Sequence, residues 1–336
     1  MQSRSELIES SPFDHFLSLY DQIAYSFMRK IVIEENDGNE KSFSKIDRSQ
    51  ATGKITAIRV SKSLLRQLIY KGEPSPVCPC KVYHTLLLRD IQSPPSESMI
   101  KGLYFETKCL GTSADGNTTI DLPRHKRTGA RLAEHDRIDQ AVERFFQVKH
   151  DFGLIVEKTN TQVYHRRRWV DSGESWNVPV FIDGTLDLVS PISTPGYSFK
   201  SATIDLKLTK DRDNVESYTN GLFHAMPWGN MEMADFSEAM MYRLIFGKPF
   251  VYLVFDYKRD NQGFRDIPII TDVNDPDPVK AAKATFRMQD LARTIRWVVN
   301  AILEWEHLRW PMVAIPKVCS TCPILDCPKR NESSEV

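Results

Sequence analysis

Apolar residues recur every three or four positions in several stretches of the chain, a spacing that places them on one side of an α-helix. The first such stretch covers residues 12–33. Further helices are predicted over residues 61–70, 81–89, 129–149, 232–246 and 280–305. The polar residues 34–52, between the first two helices, are predicted to form a linker or mobile loop.

The middle of the chain has a different pattern. Val, Ile, Thr and aromatic residues are concentrated there, with partial alternation of apolar and polar positions, which is typical of β-strands. Strands are predicted over residues 153–156, 162–170, 178–189, 201–208 and 250–257. Because helices flank this run of strands, the pattern predicts an α/β fold with a mixed central sheet rather than a purely parallel one.

Composition adds a few constraints. The 336 residues are enough for one large or two modest domains, and 44 basic residues balance 44 acidic ones. A net charge of zero gives no overall nucleic-acid signature but leaves room for a local basic groove. Residues 1–11 are too polar for a secretion signal, and no apolar stretch approaches the length of a membrane span. We therefore expect a cytoplasmic protein (nuclear or organellar in a eukaryote) that is neither secreted nor membrane-bound.

Charged residues interrupt two otherwise apolar predicted strands and are candidates for chemistry. Asp187 follows Gly184 by three residues in one strand, and Asp205 and Lys207 lie two residues apart in the next. Side chains two apart on a strand share a face, and antiparallel pairing would bring Asp187 beside Asp205. Two carboxylates suit Mg²⁺ or Mn²⁺, and a neighbouring lysine can orient water. The alternative is a surface Asp–Lys pair, although charges inside apolar strands are costly unless paired or metal-bound.

The segments FIDGTLDLV and ATIDLKLT together resemble the metal-binding core of RecB-family nucleases within the PD-(D/E)XK superfamily. The resemblance implies that Asp187 is the first metal-binding aspartate, Asp205 the second and Lys207 the catalytic lysine. It also implies that the backbone carbonyl of Leu206 adds a metal ligand. Asp183 is an alternative for the first position, but Asp187 has the glycine three residues before it that the family pattern includes.

Two further motifs of this family can be matched. Gly102-x-x-x-Glu106 fits an upstream helix motif in its Glu form, which implies that Glu106 is another metal ligand. Downstream, the family has Gln-x-x-x-Tyr on a helix near the DNA, where this chain has Glu238 and Tyr242. The resemblance implies that Tyr242 and Glu238 are substrate-binding residues and that Tyr242 contacts the substrate strand, although a carboxylate at position 238 would repel a phosphate where an amide would not. Without the resemblance, Glu106 would be a solvated helix residue and Tyr242 a core aromatic.

The chain has six cysteines, Cys78, Cys80, Cys109, Cys319, Cys322 and Cys327. In a reducing compartment such clustering indicates a metal or redox site rather than disulfides. The last three are closely spaced after the final predicted helix, and they need a fourth ligand from elsewhere to complete a metal or cluster site. On spacing alone, zinc and an iron–sulfur cluster are equally good candidates.

The segment Cys78-Pro79-x-x-x-Tyr83 resembles the CPxxxY stretch of RecB-like nucleases that carry a [4Fe–4S] cluster, among them AddB-type recombination nucleases and CRISPR-associated exonucleases. The implied cluster ligands are Cys78, Cys319, Cys322 and Cys327. The last gap is one residue shorter than is usual in that family. Cys80 is an alternative fourth ligand, and a structural Zn²⁺ is an alternative occupant. Cys109 is expected to be a buried, apolar-like residue.

The resemblance covers about residues 61–327 and implies a metal-dependent DNA nuclease, most simply an exonuclease. Its substrate would be single-stranded DNA or DNA with free ends, and it could form a homo-oligomer or work with recombination, CRISPR or phage replication proteins. The implied regions are an N-terminal helix and linker (1–52), a helical segment with the first cluster cysteine (53–110), a PD-(D/E)XK nuclease core (111–310) and a cysteine-rich tail (311–336). The cluster would lie in a small helical lobe.

Two alternatives come from other functional classes. One is a catalytically inactive, nuclease-fold DNA-binding or scaffold protein. The other is a zinc-stapled interaction module whose acidic residues only pair with neighbouring Lys and Arg.

Overall fold

The computed structural model describes residues 31–35, 44–70, 73–91, 95–113, 116–125, 127–171, 174–213, 228–229, 237–258, 263–269, 277–320, 322–324 and 327–329. The helix predicted over residues 12–33 lies outside these residues except at its last three positions, and so does the first part of the helix predicted over residues 232–246.

The elements follow one another along the chain, starting with three strands and a short helix. These are β1 (Ile31–Glu35), β2 (Ile46–Arg48), β3 (Ile55–Ser61) and α1 (Lys62–Leu68). A ribbon of β4 (Ile69–Tyr70) and β5 (Glu73–Pro74) precedes α2 (Pro79–Val82), a π-helix (Tyr83–Leu88), α3 (Glu97–Leu110) and α4 (Ala133–Asp151). The remaining elements are β6 (Thr161–Asp171), β7 (Val180–Ser193), β8 (Ser198–Thr209), α5 (Ser237–Phe246), β9 (Phe250–Asp256), β10 (Phe264–Ile269), α6 (Pro278–His307) and α7 (Pro316–Cys319).

Eight of the described strands form one mixed sheet. Their order is β1-β6-β7-β8-β9-β10, and β3 also joins β7 and carries β2. The β3–β7 and β8–β9 pairs are parallel, whereas the other pairs are antiparallel. The mixed α/β fold expected from the sequence is therefore confirmed.

The strand β9 shows how both faces of this sheet are covered. All its residues are buried, with Tyr252 and Val254 in one apolar cluster and Val251, Leu253 and Phe255 in the other. The first cluster includes residues of α1, α5 and α6, and the second includes residues of α3 and α4. Because successive side chains of a strand point to opposite faces, the sheet lies between two layers of helices.

The long strand β7 has two partners on the same edge. Along its other edge it pairs with β6 from Val180 to Leu188. On the shared edge, β3 pairs with residues 180–183, and β8 pairs from Leu188 onward. Over residues 184–187 this edge of β7 has no ladder partner among the strands that the structure describes. The gap in pairing opens a fork between β7 and β8.

Three strands lie where the sequence pattern indicated helix or linker. The end of the helix predicted over residues 12–33 is wrong, because Ile31–Glu35 form β1 and pair antiparallel with residues 167–171 of β6. The strand β2 lies within the predicted linker, and β3 lies in the segment that was expected to be helical. The last five residues of β3 are all buried, so this strand lacks the alternation of buried and exposed positions that marks a half-buried strand.

Two corrections concern the other strands. The strand predicted over residues 153–156 is wrong, because this segment is a loop in which the Ile155 N–H donates to the Ser190 hydroxyl oxygen. The strand β10 was not predicted, and it extends the sheet by pairing with β9. The other predicted strands and the remaining helices are present with their ends shifted by a few residues, and the helix predicted over residues 81–89 is α2 with the π-helix.

In the part of the chain described here, every helix is too short or too polar to span a bilayer.

Candidate active site

The carboxylates of Asp187 and Asp205 meet at the fork between β7 and β8. The first ladder pair of these strands is Leu188 with Ile204, so the same register brings Asp187 opposite Asp205. The strands separate at this point, and Asp187 Oδ2 accepts a hydrogen bond from the backbone N–H of Leu206 at 2.6 Å. A side chain thus replaces the backbone acceptor that a continuous ladder would provide. Both carboxylates are almost completely buried.

A chain of alternating charges extends from Asp205 to α1. Lys207 Nζ lies 2.5 Å from Asp205 Oδ2 and 3.3 Å from Glu238 Oε1. Lys62, the first residue of α1, forms an ion pair with the same oxygen of Glu238. Glu238 is buried in the first turn of α5, so two ammonium groups offset the charge of one buried carboxylate there.

Burial has opposite outcomes for these carboxyl groups. It raises the pKa of Asp205 to about 8, against the opposing effect of Lys207. Burial, together with the charge of Glu106, raises the pKa of Asp187 to about 6. Burial would also raise the pKa of Glu238, but the charges of Lys207 and Lys62 outweigh it and lower that pKa to about 2. When Asp187 and Asp205 are ionised, the positive charge around them is therefore too small to offset the cost of burying their carboxylates.

Glu106 approaches the fork from the other face of the sheet. It lies in α3, which is capped by Ser96 at its N-terminus and by Gly111, in the left-handed region with φ 79°, at its C-terminus. The charges of Asp187 and Glu106 both contribute, after burial, to raising the pKa of Cys109. The structure thus brings Glu106 close to Asp187, and Cys109 is buried in the apolar cluster between α3 and the sheet, as expected.

Asp183, the alternative to Asp187, has its own cationic partner. Its side chain is fully buried, and Lys45 Nζ lies 2.9 Å from Oδ1 and 2.6 Å from Oδ2. The Tyr164 hydroxyl donates a hydrogen bond to Oδ2 at 3.2 Å. These contacts satisfy Asp183 away from Asp205 and leave Asp187 as the aspartate at the fork.

Tyr242 is buried against β7, on the helix that carries Glu238. Its ring stacks on Phe250 with centroids 5.8 Å apart. Burial raises the pKa of its hydroxyl well above the usual value, and the charges of Glu238 and Asp205 add to that effect. The side chain is thus a core aromatic whose hydroxyl lies within electrostatic range of the site.

The segment that carries Cys78 packs against the end of α6. The ring of Tyr83 stacks on Trp310 with centroids 4.7 Å apart. The indole N–H of Trp310 donates to Glu306 Oε2 at 2.7 Å, and Arg48 forms an ion pair with the same carboxylate. The first of the C-terminal cysteines, Cys319, follows Trp310 by nine residues.

Two of the C-terminal cysteines, Cys319 and Cys322, lie in one compact turn, whereas the sulfur of Cys327 lies 3.9 Å from the sulfur of Met312. Cys319 ends α7, and its sulfur accepts a hydrogen bond from the backbone N–H of Ile315 at 3.4 Å. The backbone N–H of Cys322 donates to the carbonyl of Cys319 at 3.2 Å. Cys78, Cys319 and Cys322 are buried, whereas Cys80 and Cys327 are half-buried. N–H donors to sulfur are a feature of thiolate-ligated clusters.

Within the described ranges, no group of three or more His, Cys, Asp or Glu side chains is arranged to hold a metal ion. At the fork, the oxygens face donors and cations of the protein itself. Gln162 Nε2 donates to Asp187 Oδ1 at 3.2 Å, Leu206 N–H donates to the other oxygen, and Lys207 lies against Asp205.

Sequence reasoning missed Lys62 and Gln162. Lys62 reaches Glu238 only because β3, which was not predicted, runs parallel to β7 and ends beside it. Gln162 was expected in a strand, but nothing in the local pattern marks it as facing Asp187. The antiparallel register of β6 and β7 would have identified it.

No protein-family model and no curated protein matches the chain. A solved structure, "Crystal structure of SSO0001", shares 12% sequence identity with it, covering 96% of this chain and 98% of that chain, with a TM-score of 0.29. At this TM-score the likeness carries no argument about fold or function.

Proposed function

We propose that the chain is a Mg²⁺- or Mn²⁺-dependent DNA nuclease of the PD-(D/E)XK class. The observation that carries the proposal is the charge balance at the fork. Three buried carboxylates, those of Asp187, Asp205 and Glu238, lie beside the two ammonium groups of Lys62 and Lys207, an excess of one negative charge when all are ionised. The charge of Glu106 also raises the pKa of Asp187. A divalent cation would offset these charges.

The donor set fits a hard cation. Asp187 and Asp205 provide buried carboxylate oxygens whose raised pKa values fall once a positive charge is added. Glu106 and the carbonyl of Leu206 are the other proposed ligands. Lys207 already lies 3.3 Å from Glu238, so it keeps a carboxylate partner when Asp205 turns to a cation. Such a cation lowers the pKa of water and offsets charge that develops at phosphorus.

Lys207 acts as a permanent cation in this proposal. Burial would lower the pKa of its ammonium group, but the charges of Asp205 and Glu238 outweigh burial and raise that pKa well above the usual value. The group therefore stays protonated at neutral pH. It can orient a water molecule and stabilise negative charge on a phosphate, but it cannot serve as the general base.

Glu238, which stands where the family has glutamine, is compatible with a bound phosphate. Its negative charge is offset by Lys62 and Lys207, so the repulsion expected from an isolated carboxylate is reduced. Tyr242, one turn after Glu238 on α5, packs in the core beside β7, the strand that carries Asp187. This packing fixes the position of the helix that carries Glu238. Contact between Tyr242 and DNA stays a prediction.

We also propose a structural [4Fe–4S] cluster with Cys78, Cys319, Cys322 and Cys327 as ligands. The stacking of Tyr83 on Trp310, which links the Cys78 segment to the start of the C-terminal tail, supports this pairing of distant cysteines. Burial of three of the four sulfur-bearing residues suits an oxygen-sensitive cluster. Zn²⁺ remains the alternative occupant and Cys80 the alternative ligand.

The proposed function is tested by incubating anaerobically purified protein with end-labelled single- and double-stranded DNA and Mn²⁺ or Mg²⁺. We expect cleavage by the wild type that is lost in Asp205→Ala, and the product ladder then distinguishes exonuclease from endonuclease action. Cleavage that persists in a folded Asp205→Ala protein would show that the activity arises elsewhere.

One observation favours a second candidate, the inactive scaffold. Asp205 and Glu238 already form ion pairs with lysine ammonium groups, so these two carboxylates have cationic partners even without a metal ion. A scaffold of this kind binds DNA with the same affinity in the presence of Mn²⁺ or of a chelator. At a pH above about 8, where Asp205 is ionised, the nuclease proposal predicts tighter DNA binding by Asp205→Asn than by wild type in a chelator, because one repelling charge is removed.

A further inference from the structure

Gln162 has an unusual backbone conformation for a strand residue. It lies in β6 with φ 49°, in the left-handed region that side-chain-bearing residues rarely adopt. The flanking pairs are Thr161 with Leu188 and Val163 with Leu186, so Gln162 lies directly opposite Asp187. Strained backbone of this kind persists only where surrounding interactions enforce it, and it is concentrated at functional sites.

Only one of the two polar atoms of the Gln162 side chain has a hydrogen-bond partner among the described residues. Its Nε2 donates to Asp187 Oδ1 at 3.2 Å. Its Oε1 is buried and has no hydrogen-bond donor among the residues that the structure describes. A buried amide oxygen without a donor is destabilising, and it usually indicates a missing water or ion.

We infer that Gln162 is a neutral oxygen ligand of the divalent cation at Asp187 and Asp205, an inference that rests on the proposed function. Glutamine carbonyl oxygens are regular ligands of hard cations. Both oxygens of Asp187 already accept hydrogen bonds, from Gln162 and Leu206, so Oε1 of Gln162 is a buried acceptor still open beside them. A neutral ligand also adds no further negative charge to a site where three buried carboxylates already outnumber two ammonium groups.

The role of Gln162 extends to Asp187. The amide N–H holds the Asp187 carboxylate in place while the carbonyl of the same amide binds the cation, so one side chain both orients a ligand and acts as one. Glutamate at this position would supply the oxygen but would lose the hydrogen bond to Asp187. Methionine, of similar length, would supply neither.

The test is direct titration of Mn²⁺ into DNA-free protein, followed by calorimetry, with unfolding in EDTA as a separate measure of stability. We expect Gln162→Met to weaken Mn²⁺ binding about tenfold or more, a loss of the size found when a metal site loses a supporting group. We expect Gln162→Glu to bind Mn²⁺ more tightly than Gln162→Met. Tyr164→Phe is the matched control, because Tyr164 lies two residues away and contacts Asp183 instead.

A glycine variant separates binding from folding. Gln162→Gly removes the amide but is unstrained at positive φ, so it should fold at least as well as Gln162→Met and show the same loss of Mn²⁺ affinity. Wild-type affinity in Gln162→Met and Gln162→Gly would overturn the inference and leave the proposed function intact, the orphan oxygen then being that of a water site. Absence of Mn²⁺ binding in the wild type, or binding unchanged by Asp205→Asn, would overturn both.

Discussion

The Cβ atom that Gly184 lacks would lie 2.5 Å from Cε1 of Tyr242. The ring of Tyr242 has little freedom to move, because it is buried and stacks on Phe250 at an interplanar angle of 3°. The close approach of α5 to β7 therefore depends on glycine. Gly184 lies three residues before Asp187, and Glu238 lies one turn before Tyr242, so this contact sets the distance between the two halves of the site.

Replacement of Gly184 by alanine should destabilise the fold. We expect Gly184→Ala to lower the free energy of unfolding by about 1–3 kcal/mol, the usual range for overpacking a well-packed core. Urea denaturation measures this change. Gly102→Ala is the control, since a Cβ at that helical position meets nothing within 4 Å and should stabilise the helix by up to about 1 kcal/mol. Equal stabilities of the two variants would contradict the packing argument.

The ion pair of Lys62 with Glu238 predicts a strong coupling between two residues far apart in sequence. We expect Lys62→Met to lower the free energy of unfolding by about 1–3 kcal/mol, because it removes one of two cations beside a buried carboxylate. Glu238→Gln in the same background should restore part of the loss. A double-mutant cycle measures this interaction, and additive effects of the two changes would contradict it.

The raised pKa values of Asp187 and Asp205 predict a pH dependence of stability. Both groups keep protons in the folded protein, up to pH values of about 6 and about 8, that the unfolded chain has already released. Without divalent cations, the free energy of unfolding should therefore fall as pH rises from about 4 to about 8. Asp205→Asn should flatten the upper part of this profile. A free energy of unfolding that rises over the same pH range would contradict the raised pKa values of Asp187 and Asp205.

The same protons predict a pH dependence of cation binding. A cation must displace the proton from Asp205, so Mn²⁺ affinity should rise with pH, by up to about tenfold per unit below the pKa of that group. Calorimetric titrations at several pH values measure it. A pH-independent affinity would show that the protonated carboxyl is not a ligand.

The cysteine assignment predicts a visible absorption band in anaerobically purified protein, with iron and sulfide in equal amounts. Cys319→Ser should abolish the band, and comparison of Cys78→Ser with Cys80→Ser should identify the fourth ligand. Cys109→Ser is the control, because burial keeps the pKa of that thiol well above its usual value and it lies in the core between α3 and the sheet. A colourless protein with one zinc per chain would show that the cysteines bind Zn²⁺ and not an iron–sulfur cluster.

The parts of the fold that could be predicted are those with a strong local pattern. The long strands β6 to β8, with β9, were found from their apolar residues, and the two-residue spacing of Asp205 and Lys207 correctly put them on one face. Antiparallel pairing of β7 and β8 then brought Asp187 to Asp205, as the sequence indicated. These predictions needed only strand periodicity and one hairpin.

The rest depends on contacts between distant segments. Lys62 and Glu238 are 176 positions apart in the sequence, and they meet only because β3 joins the sheet beside β7. The strand β1 was obscured by a helical spacing of apolar residues, which pairing with β6 overrides. The conformation of Gln162 is likewise set by its position opposite Asp187 and by no feature of the residues around it.

The most direct test of the account is the single-turnover rate of DNA cleavage in Mn²⁺ for wild type, Asp205→Asn and Asp151→Asn. Asp151 is an exposed carboxylate at the end of α4, so its variant controls for a general loss of negative charge. We predict wild-type cleavage that falls at least about a hundredfold in Asp205→Asn and is unchanged in Asp151→Asn. A folded wild type that cleaves no DNA with Mn²⁺ or Mg²⁺, or an Asp205→Asn protein that cleaves as fast, would contradict the account.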